Sequence, residues 1–370
     1  MPNDIQTQML KQPASQQDSL ADAGKPARGI FLHTGWRSAG TWVWSRFRAL
    51  NAVTAFYEPL STVIGDLKLA DIPAIQPAWN SGHPALDAPY YDEYQSFMQE
   101  GARGVRGYRK RFSTDRFGNT PDAEFPAMQS YLQNLCDQTI DNGKMPVLKF
   151  CRSSGRLPWL KQAFPAAIHV AVVRNPASQF ASGWLLHQEW GNPFFVAAPF
   201  RVLGLNQTEP LVKEVIDACE VRMPADAPTS EEAYAAVCEQ YARTVEGNNA
   251  YRAFMALWVL SASRMSNAVD LIVDVDRLGH VSAYASDTTA WIQTRAGVTP
   301  RFDDARDLVD EMKRTPERMT GIDGWSMRTV HAAAQKFVNA RSDPNDVQTN
   351  VAELVREKLA LAAEVSAQWR

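Results

Sequence analysis

Unbroken apolar runs, more than alternating ones, punctuate this chain. Residues 28–33 form one such run just before a glycine, and 145–150, 168–173 and 270–275 share its character. Short apolar runs without alternation are the pattern of strands buried on both faces. Between them lie stretches of another kind. Residues 42–50 hold good helix formers with neither Gly nor Pro, 178–188 reads as a helix, and 251–265 carries apolar residues at helical spacing. Strands alternating with helices predict right-handed parallel crossovers and a sheet covered on both faces. The expected fold class is therefore α/β, a parallel sheet flanked by helices, with its site at the carboxyl ends of the strands.

Two stretches break the alternation. Residues 61–130 are rich in Pro, Gly, Tyr and Trp and weakly periodic, which suggests an irregular insertion over the sheet edge and the site. Residues 190–230 suggest a similar irregular cover. The first 27 residues are polar, rich in Gln, Asp, Ser and Pro, and are expected to be a disordered tail without a secretory signal. No internal repeat is apparent. The organisation expected is thus a tail over 1–27 and a single domain over 28–370.

Composition narrows the function classes. Of 370 residues, 45% are hydrophobic and 21% charged, the balance of a globular protein with a large core. Lys and Arg number 38 against 41 Asp and Glu, a net charge of −3. That argues against a nucleic-acid partner, whose binding would rest on a basic excess. No apolar run reaches the ~18 residues of a membrane span. The cysteines Cys136, Cys151, Cys219 and Cys238 contain no C-x-x-C pair, so neither zinc site nor disulfide framework is indicated and a cytoplasmic setting is expected.

The candidate chemistry begins where the first predicted strand meets the first predicted helix, at His33-Thr-Gly-Trp-Arg-Ser-Ala-Gly-Thr-Trp42. Gly35 and Gly40 stand in a G-x-x-x-x-G relation, half of a Walker A pattern. Such a loop aims backbone N–H groups and a helix N-terminus at one spot and is suited to an anion. Thr41 occupies the Walker lysine position and Trp42 the magnesium-binding hydroxyl position, so a triphosphate and its metal would lack two partners. Arg37 supplies a cation within the loop. An ordinary glycine turn with a solvated Arg is the plainer alternative. A second junction, Ala171-Val-Val-Arg-Asn-Pro-Ala-Ser-Gln-Phe-Ala-Ser182, again closes a strand and opens a helix. Arg174 follows the strand, Pro176 suits the first helical turn, and Ser182 lies about two turns on. Taken separately, these could be a surface charge and a helix serine.

Together, the two junctions resemble the sulfotransferase family, which uses 3′-phosphoadenosine 5′-phosphosulfate (PAPS) as donor. The resemblance runs from about Ile30 to Trp291 and is nearer to bacterial and Golgi-type members. In that family an R/K-S-G-T-T-like loop holds the 5′-phosphosulfate, and R-x-P-x-x-x-x-x-S holds the 3′-phosphate. Arg37-Ser38-Ala39-Gly40-Thr41 matches the first, and Arg174, Pro176 and Ser182 match the second. Ala39 stands where the family has Gly, and Gly40 where it has Ser or Thr. The Arg-Lys-Gly loop of cytosolic members has no clear counterpart. The resemblance implies a P-loop-type sheet and a PAPS-binding set of Gly35, Arg37, Ser38, Ala39, Gly40, Thr41, Trp42, Arg174 and Ser182.

It also implies sulfuryl transfer to a hydroxyl acceptor, with no metal because fixed cations supply the charge. Glu58, about twenty residues past Arg37, falls where Golgi-type members place a catalytic glutamate, and His33 is the rival base. Lys149, with Arg152, closes another strand where the family often has a cation near the donor's bridging oxygen. Trp42 either stacks on adenine or belongs to the core. The 61–130 insertion lies on the acceptor side. Its basic cluster Arg103, Arg106, Arg109, Lys110 and Arg111 suits an acidic or carbohydrate acceptor, or is a solvated face. Tyr90, Tyr91 and Tyr94 either stack on sugars or anchor the insertion. The alternatives to a sulfotransferase are a P-loop kinase or nucleotide hydrolase and a non-catalytic nucleotide-binding module.

Overall fold

A computed structural model describes residues 26–75, 83, 86–113, 124–151, 153–225, 228, 230–314, 319, 321–342 and 350–367. The tail expected over 1–27 therefore lies almost wholly outside the described residues, as does Arg152.

Five parallel strands form one sheet: β1 (Ile30–Thr34), β2 (Val53–Tyr57), β3 (Met145–Phe150), β4 (Ile168–Val173) and β5 (Leu271–Asp274), in the order β2-β3-β1-β4-β5. β1, β3 and β4 are buried almost throughout, which is why they read as continuous apolar runs. The chain builds to one side of β1 with β2 and β3, then crosses to its other side with β4. That reversal sets a crevice at the carboxyl ends of β1 and its neighbours, where ligands of open α/β sheets bind.

Around the sheet lie α1 (Gly40–Arg48), α2 (Phe125–Asp141), α3 (Leu157–Ala163), α4 (Pro176–Trp190), α5 (Phe194–Leu205), α6 (Pro210–Ala218), α7 (Glu231–Ala242) and α8 (Gly247–Ser263). After β5 come α9 (Val275–His280), α10 (Ser282–Ala296), α11 (Leu308–Lys313), α12 (Gly324–Asn339) and α13 (Val351–Ser366). One apolar cluster joins the sheet to α1, α2 and α10, with Trp44, Phe47 and Phe56 fully buried. A second is mostly helical and draws on α4 to α8 and α11 to α13.

The insertion is irregular as expected over its described part, a string of short 3₁₀ turns such as Thr62–Gly65 and Asp92–Phe97. It is tied down by polar contacts. Tyr94 donates to the Tyr57 carbonyl at 3.1 Å, Tyr131 to that of Pro59 at 3.0 Å, and Arg48 to Glu93 at 2.6 Å. The 190–230 stretch differs from expectation, because α5 and α6 are regular helices. Pro193 and Pro210 start them instead of breaking them, since proline at a helix start loses no hydrogen bond.

Candidate functional site

The loop between β1 and α1 is a strained turn held from several directions. Arg37 and Ala39 adopt φ of 63° and 64°, a left-handed conformation that costs a side-chain-bearing residue about 1–2 kcal/mol. The Ser38 amide and hydroxyl both donate to the Gly35 carbonyl, at 3.3 and 2.9 Å. The Gln179 side chain donates to the Trp36 carbonyl at 2.7 Å, and Arg174 donates to that of Arg37 at 3.1 Å. Three successive loop carbonyls are thus already accepting bonds. The first N–H groups of α1 have no intrahelical acceptor, so the loop has the polarity of an anion cradle. Gly40 is needed for its size. A Cβ there would sit 2.6 Å from the Thr34 Cβ.

The second junction is packed against the first. Arg174 sends Nε and Nη2 to the Ser178 hydroxyl at 2.9 and 2.5 Å. Arg37 does the same to the Ser182 hydroxyl, at 3.1 and 3.0 Å. The two arginines therefore take serines one helical turn apart on α4, and Ser182 partners the first loop. Asn175 caps α4 by accepting from the Ser178 amide at 2.8 Å. Asp276 accepts from the Asn175 amide and side chain at 2.7 and 2.9 Å, and Lys358 of α13 donates to Asp276 at 2.7 Å. The base of this junction is thereby anchored to the last helix.

Glu58 follows β2 with φ 48° and is buried beside the fully buried Lys149. The Lys149 ammonium donates to Glu58 Oε1 and, at 3.0 Å, to Cys151 Sγ, while the Cys151 amide donates to Glu58 Oε2 at 3.0 Å. The ammonium also lies 4.7 Å from the centre of the Tyr57 ring. Burial works to lower the Lys149 pKa, but Cys151 and Glu58 hold it well above the ordinary lysine value. Burial and the Glu58 carboxylate push the Cys151 thiol up. Thr41 Oγ1 lies 3.5 Å from the Tyr57 hydroxyl and 3.3 Å from His83 Nδ1. Desolvation, with the Lys149 and Arg37 cations, lowers the His83 pKa to about 4.

A cavity of about 720 Å³ gathers these groups, with Arg37, Thr41, Glu58, Lys149, Arg174 and Ser182 on its walls. Gly35, Ala39, Gly40 and Trp42 also line it, and Ser38 closes the turn from inside. Trp42 is half-buried, 5.9 Å from the Phe302 ring with Arg46 over its face. His33 is not brought to this cleft. Its Nδ1 lies 2.8 Å from the Ser153 hydroxyl and its Nε2 3.0 Å from His169 Nδ1. His169 Nε2 must donate to the Phe164 carbonyl at 3.2 Å, which orders the chain: His33 donates to His169 and accepts from Ser153. Burial first, then His169, lowers the His33 pKa well below its ordinary value.

Tyr90 and Tyr94 are fully buried and anchor the insertion, whereas Tyr91 reaches the cleft. In the basic cluster, Arg109 and Arg111 pair with Glu124, and Lys110 with Asp66. Sequence reasoning did not find Ser178, Gln179, Tyr57 or His83. Ser178 and Gln179 carried a signal, one turn past Arg174 on a helix whose first turn was already suspect; Tyr57 and His83 carried none.

Among the described residues no group of three or more His, Cys, Asp or Glu could hold a metal ion, and no helix is long and apolar enough to cross a membrane. A five-stranded parallel sheet with this loop at its crossover crevice defines an α/β protein compatible with a P-loop-like arrangement. No family model, no curated protein and no solved structure matches the chain.

Proposed function

We propose that this chain is a sulfotransferase that moves the sulfuryl group of PAPS to a hydroxyl acceptor. The observation that carries the reading is the junction of its two arginine loops. Arg37 bonds Ser182, and Arg174 bonds the Arg37 carbonyl, so the two elements that the sequence motifs name share one cleft with Glu58 and Lys149. A doubly anionic nucleotide end and a 3′-phosphate need cations converging on one cleft.

In the transfer, the acceptor oxygen forms a new O–S bond while the bond from sulfur to the bridging oxygen breaks. The bonding pair stays on that oxygen, giving 3′-phosphoadenosine 5′-phosphate. The acceptor proton goes to Glu58 and then to water. Lys149 stabilises the charge that grows on the leaving oxygen, and the α1 N-terminus with Arg37 binds the 5′ end. Arg174 with Ser178 and Ser182 binds the 3′-phosphate.

Calorimetry with 3′-phosphoadenosine 5′-phosphate and with AMP tests the reading directly. Losing the charge-assisted 3′ contacts costs ~1.5–3 kcal/mol, roughly tenfold to a hundredfold in affinity. The bisphosphate should bind tighter by that factor, and Arg174→Met should abolish the difference. Equal affinity of the two nucleotides for the parent protein would overturn the assignment.

A further inference from the structure

The last helix reaches the second junction through one buried lysine. Lys358 of α13 is 2% exposed and stands among Asp274, Asp276 and Arg277, which are likewise buried. Its ammonium donates to Asp274 Oδ1 and, at 2.7 Å, to Asp276 Oδ2. Burial works to lower the Lys358 pKa, but Asp274 and Asp276 hold it above the ordinary lysine value, so the ammonium is charged. Arg277 Nε lies 3.4 Å from Asp274 Oδ2, and Arg277 Nη2 donates to Glu357 at 2.8 Å. Lys358 and Arg277 thus meet Asp274, Asp276 and Glu357 where α13 crosses the chain that follows β5. Lys358 itself does not line the polar cleft.

Asp276, with no exposed surface, uses both carboxylate oxygens on Asn175. Oδ1 accepts from the Asn175 side chain at 2.9 Å, and Oδ2 from the Asn175 amide at 2.7 Å as well as from Lys358. Asn175 in turn stands between the two partners of the arginine contact. It follows Arg174 in the chain, and its Oδ1 accepts from the amide of Ser178 at 2.8 Å, the residue whose hydroxyl Arg174 bonds. Both ends of the Arg174–Ser178 pair therefore depend on where Asp276 holds Asn175. A carboxylate this deep, held by neutral amides alone, would carry an uncompensated charge. Lys358 supplies the compensation.

We propose that Lys358 is a positioning residue: through Asp276 and Asn175 it fixes Arg174 against Ser178, and so sets how strongly the cleft prefers a nucleotide with a 3′-phosphate over one without. The preference rests on the sulfotransferase reading of the cleft. Lys358 touches neither substrate nor reacting atoms and acts only on the geometry of the residues that do. Its loss should weaken the 3′ end of the site and spare the 5′ end. The 5′ end is built from the β1–α1 loop and from Lys149 on β3, whereas Asn175 and Asp276 follow β4 and β5.

The test measures, by calorimetry on the full chain, the advantage of 3′-phosphoadenosine 5′-phosphate over AMP. Lys358→Met should lower that advantage about fivefold, within the range that coupled side-chain networks carry, with the affinity for AMP within about twofold of the parent. Because the change strands two buried carboxylates, binding is read at a temperature where circular dichroism finds the variant folded. Asp276→Asn keeps the test alive if it does not fold. Lys358 then stays paired with Asp274, while the new amide must turn a donor toward one of the two Asn175 donors, and the advantage should fall by a similar factor. Glu357→Gln loosens the same helix interface at Arg277 without touching Asp276, and should leave the advantage within about twofold. Three results would overturn the positioning role and leave the nucleotide reading intact: a folded Lys358→Met or Asp276→Asn with the full parental advantage, an equal loss of affinity for both nucleotides, or as large a fall in Glu357→Gln. Equal affinity of the two nucleotides for the parent would overturn that reading and the positioning role with it.

Discussion

Glu58, the base of the proposed transfer, stands at an uncommon backbone angle, φ 48°. Its two carboxylate oxygens accept bonds from Lys149 and from the Cys151 amide. Glu58→Gln is expected to slow sulfuryl transfer at least a hundredfold, the low end of a general-base contribution, with nucleotide affinity within about twofold. The same change strands a buried ammonium, and breaking such a pair costs ~3–5 kcal/mol. Rates therefore belong at a temperature where circular dichroism finds the variant folded, and near-parental turnover there would remove Glu58 from the base role. At this scale the sequence was partly legible. The positions of Arg37, Glu58, Lys149, Arg174 and Ser182 could be read from motifs and strand ends. Their pairing could not, because spacing along a helix does not say which of two serines one turn apart an arginine will choose.

Among the elements, α1 begins under strain, since its N-cap, Ala39, has φ 64° and no capping side chain. Ala39→Gly removes the Cβ conflict of the left-handed conformation, offset by the greater freedom of glycine in the unfolded chain. The expected result is a gain of about 1 kcal/mol, read as a higher urea midpoint at unchanged slope. A midpoint that falls would mean the loop does not hold this conformation in solution. Legibility followed burial. β1, β3, β4 and β5 showed themselves because two covered faces demand apolar runs. β2, Val53–Tyr57, holds a polar Thr54 that interrupts its apolar run. α2 buries Met128, Tyr131, Leu132, Leu135, Cys136 and Thr139, a helical spacing that the sequence does carry. α7 and α12 had N-cap signals in Ser230 and Asp323 that periodicity alone does not use.

The molecule as a whole is sensitive to acid because it buries neutral histidines. Burial lowers His169 and His331 to about 4 and takes His33 well below its ordinary 6.5. An unfolded chain takes up these protons near pH 6.5 while the folded one does not, so stability is complete above 6.5 and is lost as pH falls toward 4. Glu93, which burial pushes up to about 7 against the pull of Arg48, acts in the opposite sense between its unfolded value and 7. Each net proton is worth about 1.4 kcal/mol per pH unit. Stability is expected to drop by roughly 3–5 kcal/mol from pH 7 to pH 5, measured by denaturant titration at both. A flat profile would mean that these rings find protons in the folded state.

The tie from Lys358 through Asp276 to Asn175 also sets a clock on biosynthesis. The far end of that tie leaves the ribosome long after the near one, by roughly 10–40 s at ~5–20 residues per second. Until then Asp276 and Asp274 are carboxylates without their lysine, and the turn that carries Arg174 has only half of its anchorage. A nascent chain thus completes its sheet and the lining of its cleft before the base of the second junction is fully anchored. Quality control acting on this protein during translation would see the last helix as the deciding segment, although none of its residues belongs to the polar cleft.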